Sequence, residues 1–168
     1  GATQDVLFVL SGSGLVSGAA LQILKSLQGR NINILYIKPD IEFLGHVNIL
    51  QERTVRNVLQ EYTRSGIFER MFLIDNLKVE QVIGEVPIVG YYDKLNELIV
   101  STIHMINVYN HQDPIHATPF DTSETTRIST FGILNIEKGE EKLFFPLDSI
   151  REKSYYYAIN SKVLETDG

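Results

Sequence analysis

The sequence predicts an α/β fold: three α/β/α layers around a small parallel sheet, a long central helix, and the start of a second, β-containing subdomain. Three observations predict it. Short apolar runs alternate with stretches of helical spacing over the first half of the chain. Each run is nearly continuous in Val, Ile, Leu and aromatic residues, which is how strands buried on both faces of a parallel sheet read. After about residue 110 prolines and clustered polar residues replace that alternation. Strands alternating with helices join through right-handed βαβ crossovers.

The first strand is 5–10 (DVLFVL), and it breaks into a segment with Gly12, Gly14 and Gly18. A helix is predicted from about Ser17 to Leu27, then a second strand over 32–38 (INILYIK). The next helix runs from about Val47 to Tyr62. Val47, Leu50, Thr54, Val58 and Tyr62 recur at helical spacing, and Glu52, Arg53, Arg56, Gln60 and Glu61 form a solvated face. The third strand, 70–75 (RMFLID), ends in Asp75-Asn76. A short helical piece over 79–83 and a turn through Pro87 and Gly90 lead into the longest helix, about Tyr91 to Tyr109. Its apolar positions Leu95, Leu98, Ile99, Thr102, Ile103, Ile106 and Tyr109 cover more than one face, which predicts burial between layers.

Residues 110–121 read as a loop with two prolines. Asp121 and Glu124 have the spacing of a capping box and open a short helix reaching Arg127. Runs at 131–136 and 142–147 flank a hairpin turn at 137–140, and Ser154–Ile159 is a further strand candidate. The expected division is 1–110 for the sheet and central helix, and 111–168 for the start of the second subdomain.

Composition bounds the function. The 168 residues, 43% hydrophobic and 21% charged, suit one globular domain or one domain and part of a second. The chain opens on Gly1 with a strand close behind, which reads as a piece of a longer protein. A net charge of −6 argues against a nucleic-acid backbone or an anionic membrane as the main partner. The absence of cysteine excludes a disulfide framework, a thiolate zinc site and a thiol nucleophile, and fits a reducing cytoplasm. No apolar run reaches membrane-spanning length, and no secretory signal pattern opens the chain.

Strand, glycine turn and helix start together present backbone N–H groups to a phosphate. Gly12, Ser13, Gly14, Ser17 and Gly18 are therefore candidate anion-binding residues, and tight packing is the competing account of the glycines. A dinucleotide-binding reading is also open, with Asp40 after the second strand where a ribose-binding acid would sit. His46, His104, His111 and His116 show no spacing that forces a metal site; His104 is expected as a core or edge residue of the long helix. The entry of that helix reads YYDKLNEL. Tyr92 and Asn96 lie one turn apart on one face, so a ring can stack on a base while an amide reads its edge.

In these features the chain resembles the tubulin/FtsZ superfamily. That family has a strand, a glycine-rich phosphate loop, and a central helix whose start carries an aromatic residue and an Asn against guanine. Here the corresponding segments are GSGLVSG at 12–18 followed by Ala19-Ala20, the stretch ILYIKPDIEFLGH, Phe72 to Asn76, and Tyr92 with Asn96. The resemblance implies GTP/GDP and Mg²⁺ as cofactors, with Gly12, Ser13, Gly14, Ser17 and Gly18 at the phosphates and Tyr92 and Asn96 at the base. It implies that Asp121 and Glu124 activate water against the GTP of a neighbouring subunit. The protein is then a polymer-forming, cytoskeletal GTPase of the cytoplasm whose partners are itself or other tubulin/FtsZ-like subunits. Nucleic-acid binding and membrane insertion are not implied. Leu15 and Val16 stand where the family has Thr and Gly, Pro119 stands in place of an Asn, and the family's first strands would lie before residue 5. A tubulin-fold interaction module without nucleotide binding therefore stays open beside the GTPase, as does a Rossmann-type dinucleotide domain.

Overall fold

Strands β1 (Asp5–Ser11), β2 (Asn31–Lys38), β3 (Arg70–Asp75) and β4 (Ile128–Thr130) form one sheet in the order β1-β2-β3-β4, and every neighbouring pair is parallel. The computed structural model describes residues 5–12, 15–27, 29–84, 89–111 and 126–155. Successive residues of a strand point to opposite faces. Ile34 and Tyr36 of β2 share one apolar cluster with Leu10, Met71 and Leu73, and Leu35 shares the other with Phe72 and Ile74. Helices α1 (Leu15–Ser26) and α2 (His46–Arg64) close the first cluster through Ala20, Leu24, Val55 and Leu59. Helices α3 (Asn76–Ile83) and α4 (Tyr91–His111) close the second through Val79, Leu95 and Ile99. The fold is α/β in three layers.

A separate antiparallel pair, β5 (Gly132–Asn135) and β6 (Glu140–Leu143), turns through Gly139, whose φ of 66° suits glycine. Its base is tied to the main sheet. Phe144 N–H donates to the Phe131 carbonyl, and Asp75 N–H donates to the Phe144 carbonyl, both at 2.7 Å. Phe131 stacks on Phe72 with ring centroids 5.1 Å apart. The adjacent Phe144 and Phe145 enter opposite clusters, so the return from the hairpin fills the core on both sides of the sheet.

Several expectations are corrected. Helix α1 begins at Leu15, two residues before the expected start at Ser17, so Ser17 and Gly18 lie in its first turn and not in a loop ahead of it. Helix α3 begins at Asn76, because the Asp75 carboxylate accepts the Leu77 N–H and caps it. Strand β1 was read as buried on both faces. Leu7 and Val9 are exposed, because β1 lies at the sheet edge while α3 and α4 cover β2 and β3. Among the described positions of the α4 stripe, Leu95 and Ile99 are buried and Leu98, Thr102 and Ile103 half-buried, while His104, expected in the core or at its edge, is exposed. Ser154 and Tyr155 are not in a strand; residues 156–159 of that candidate and the expected helix start at 121–125 lie outside the described residues.

The largest correction concerns α2. Val47 is 67% exposed and Leu50 49%, although both belong to the predicted core stripe. The buried positions are Glu52, Val55, Leu59 and Thr63. Glu52, expected in solvent, is 1% exposed, because the Tyr36 hydroxyl and Arg56 Nε both donate to its Oε1. A paired carboxylate takes a core position, and the helix is rotated accordingly. We predict that Leu59→Ala lowers stability by about 2–5 kcal/mol, whereas Leu50→Ala stays within about 0.5 kcal/mol of the parent. Urea unfolding of both variants measures this; equal losses would put α2 back in the rotation read from its apolar stripe.

Candidate functional site

All strands of a parallel sheet end on the same edge, and ligands of open α/β sheets bind at that edge. The register pairs Ser11 with Ile37 and Lys38 with Asp75. Gly12, Lys38 and Asp75 therefore form a row across the C-terminal edge, with about 4.8 Å between neighbouring strands. Two helix starts flank the row on opposite faces of the sheet, α1 at Leu15 and α3 at Asn76. Each carries backbone N–H groups without partners within its own helix.

Gly12 is buried, and its backbone is not left-handed. Its need for glycine is spatial: a Cβ there would lie 1.7 Å from the Tyr36 hydroxyl oxygen and 2.5 Å from Cζ. Tyr36 is fully buried and donates to Glu52 Oε1 at 2.8 Å; Arg56 Nε donates to the same oxygen at 2.9 Å. The Arg56 guanidinium lies 5.9 Å over the Phe145 ring. Burial first, and then the Glu52 charge, push the Tyr36 phenol far above the ordinary tyrosine range and keep it a hydrogen-bond donor. A folded-state value raised in this way gives a contribution that is complete below about pH 10, where tyrosine in the unfolded chain ionises, and that falls away above it.

At the centre of the edge Lys38 Nζ sits 2.8 Å from Asp75 Oδ2. Asp75 is otherwise occupied: Oδ1 accepts the Leu77 N–H at 3.0 Å, and its own N–H goes to Phe144. Asn76, the next residue, differs. Its Oδ1 is buried and has no hydrogen-bond partner among the described residues. A buried acceptor without a donor costs about 1–3 kcal/mol, and Glu152 Oε1 shares that condition. Asp40, the candidate ribose acid, accepts the Glu42 N–H at 2.9 Å and shapes its own loop.

The sequence-predicted residues fall as follows. Gly12 lies on the edge, against Tyr36. Ser17 and Gly18 lie on α1 and Tyr92 on the first turn of α4, with side chains outside the described set. Asn96 is exposed on α4 beside buried Leu95. Ser13, Gly14, Asp121 and Glu124 lie outside the described residues. Tyr36, Glu52, Lys38 and Asn76 were not singled out from the sequence. Lys38 and Asn76 had a usable signal, since both sit at strand ends of a parallel sheet. Glu52 had only Arg56 one turn later. Among the described residues no three His, Asp or Glu side chains converge as for a metal ion, and no helix is long and apolar enough to cross a membrane. No protein-family model, curated protein or solved structure matches the chain.

Asp75→Ala removes both a helix cap and the Lys38 partner, and is predicted to cost about 2–4 kcal/mol. Asp75→Asn keeps an acceptor for Leu77 and should lose less. Chemical denaturation of the pair checks this; equal losses would show that the cap contributes nothing.

Proposed function

We propose that the chain is a tubulin/FtsZ-like guanine-nucleotide-binding protein whose nucleotide lies along the C-terminal edge of the parallel sheet. The observation that carries this reading is the unpartnered, buried Asn76 Oδ1 at the end of β3. Guanine presents N–H donors along one edge, and a lone carbonyl acceptor is their complement. The phosphates then run toward Gly12 and the start of α1, where backbone N–H groups favour anions. Lys38 stands between the two in the row. Tyr92 and Asn96 take the base from α4, and Mg²⁺ accompanies the triphosphate. Asp121 and Glu124 polarise water for a neighbour's γ-phosphate, so hydrolysis belongs to the assembled state and a monomer is nearly inert. Exposed Val47 and Leu50, one turn apart on α2, are the apolar surface that supports self-association.

A second reading, an interaction module that keeps the fold without the nucleotide, is favoured by Gly12: packing against Tyr36 alone accounts for that glycine.

Titration with labelled GTP, with and without Mg²⁺, is the test. Saturable binding is expected, and Tyr92→Ala and Asn76→Ala should each weaken it by about 1–3 kcal/mol. Asp121→Ala should bind as the parent does and hydrolyse more slowly in assemblies. No saturable binding leaves the interaction module, and thermal protection by NAD but not by GTP selects the dinucleotide domain.

A further inference from the structure

We infer that Tyr36 is a positioning residue for the chain at Gly12, where it turns out of β1, and that Glu52 and Arg56 hold the phenol there, so that α2 is coupled to Gly12. Three observations meet here. The Gly12 backbone rests directly on the phenol, closely enough that a single methyl group collides with it. The phenol cannot yield, because its hydroxyl is bound to Glu52 and both side chains are buried. Glu52 is in turn fixed by Arg56 on the same helix, and the Arg56 guanidinium lies over Phe145.

A tyrosine bound to nothing would be a space-filling ring. This one joins α2 to the sheet through one hydrogen bond, from the Tyr36 hydroxyl to Glu52, which Arg56 holds from within the same helix, and Gly12 rests on the phenol. The consequence for a nucleotide rests on the reading above: Tyr36 sets the height at which the turn meets phosphate. The joining of α2 to the turn does not depend on it.

Hydrogen exchange followed by mass spectrometry on the whole chain tests the inference. Tyr36→Phe and Glu52→Leu should each speed exchange about tenfold at Ser11, Gly12 and the first turn of α1, with β3 unchanged. Glu52→Gln retains an acceptor for the phenol and should exchange there like the parent. Uniform acceleration across the sheet, or none at the turn, overturns the positioning role. Should Tyr36→Phe fail to fold, the contact is read from Gly12→Ala made in the parent and in Tyr36→Leu. The added methyl should shift the unfolding equilibrium less in the second background, and equal shifts overturn the inference. In a parent that binds GTP, Tyr36→Phe should lower affinity about tenfold, and unchanged affinity overturns the nucleotide consequence. A parent that binds no GTP but shows the local exchange pattern removes the nucleotide reading and sustains the joining of α2 to the turn.

Discussion

A carboxylate buried beneath the sheet decides how the first helical layer sits. Moving an unpaired Glu into an apolar layer is costly, and the group persists there only with donors in place. Glu52 has two, the Tyr36 hydroxyl and Arg56 Nε. From this one arrangement three features follow. Helix α2 turns so that Glu52, Val55, Leu59 and Thr63 face inward. Tyr36 is drawn upright under the end of β1, which leaves room for nothing larger than glycine at position 12. Val47 and Leu50, displaced from the core by that rotation, face outward.

The opposite layer depends on a second carboxylate in a comparable way. Asp75 receives Lys38 from β2, caps α3 and ties the hairpin return to β3. A strand end, a helix start and a distant loop thus converge on one residue. Both the Asp75 carboxylate and the Asn76 amide oxygen are acceptors, so the two cannot pair, and among the described residues the Asn76 oxygen has no donor.

Much of the architecture was legible in the sequence, for a reason that also marks where legibility ends. The runs of β2 and β3 are continuous in apolar residues because both faces of the sheet are covered there, and continuity survives small errors in boundary; the run of β1 is as apolar although one of its faces is open. The helices depend on which stripe faces inward, and α2 carries two. Val47, Leu50, Thr54, Val58 and Tyr62 form the more apolar one, yet the inward stripe contains Glu52. Nothing local announces that choice, since the partner of Glu52 is Tyr36 on another element. Gly12 was visible as a glycine, but its cause was not: the contact is with the same Tyr36, across the βαβ unit. Asn76 was visible as the end of a strand, but its missing partner is a property of the folded edge.

Gly12 and Asn76 pull the functional reading in opposite directions, and they are not of equal weight. Packing against Tyr36 explains why position 12 is glycine, but that contact concerns the place a Cβ would take and not the backbone N–H. It is therefore compatible with either function. An unpaired buried acceptor is different: it costs stability in the folded chain and returns nothing to the core. A module selected for folding and surface contact alone gains by placing an apolar residue there. On the reading proposed above, a donor that arrives with the nucleotide completes this oxygen, at the edge where open α/β sheets take their ligands.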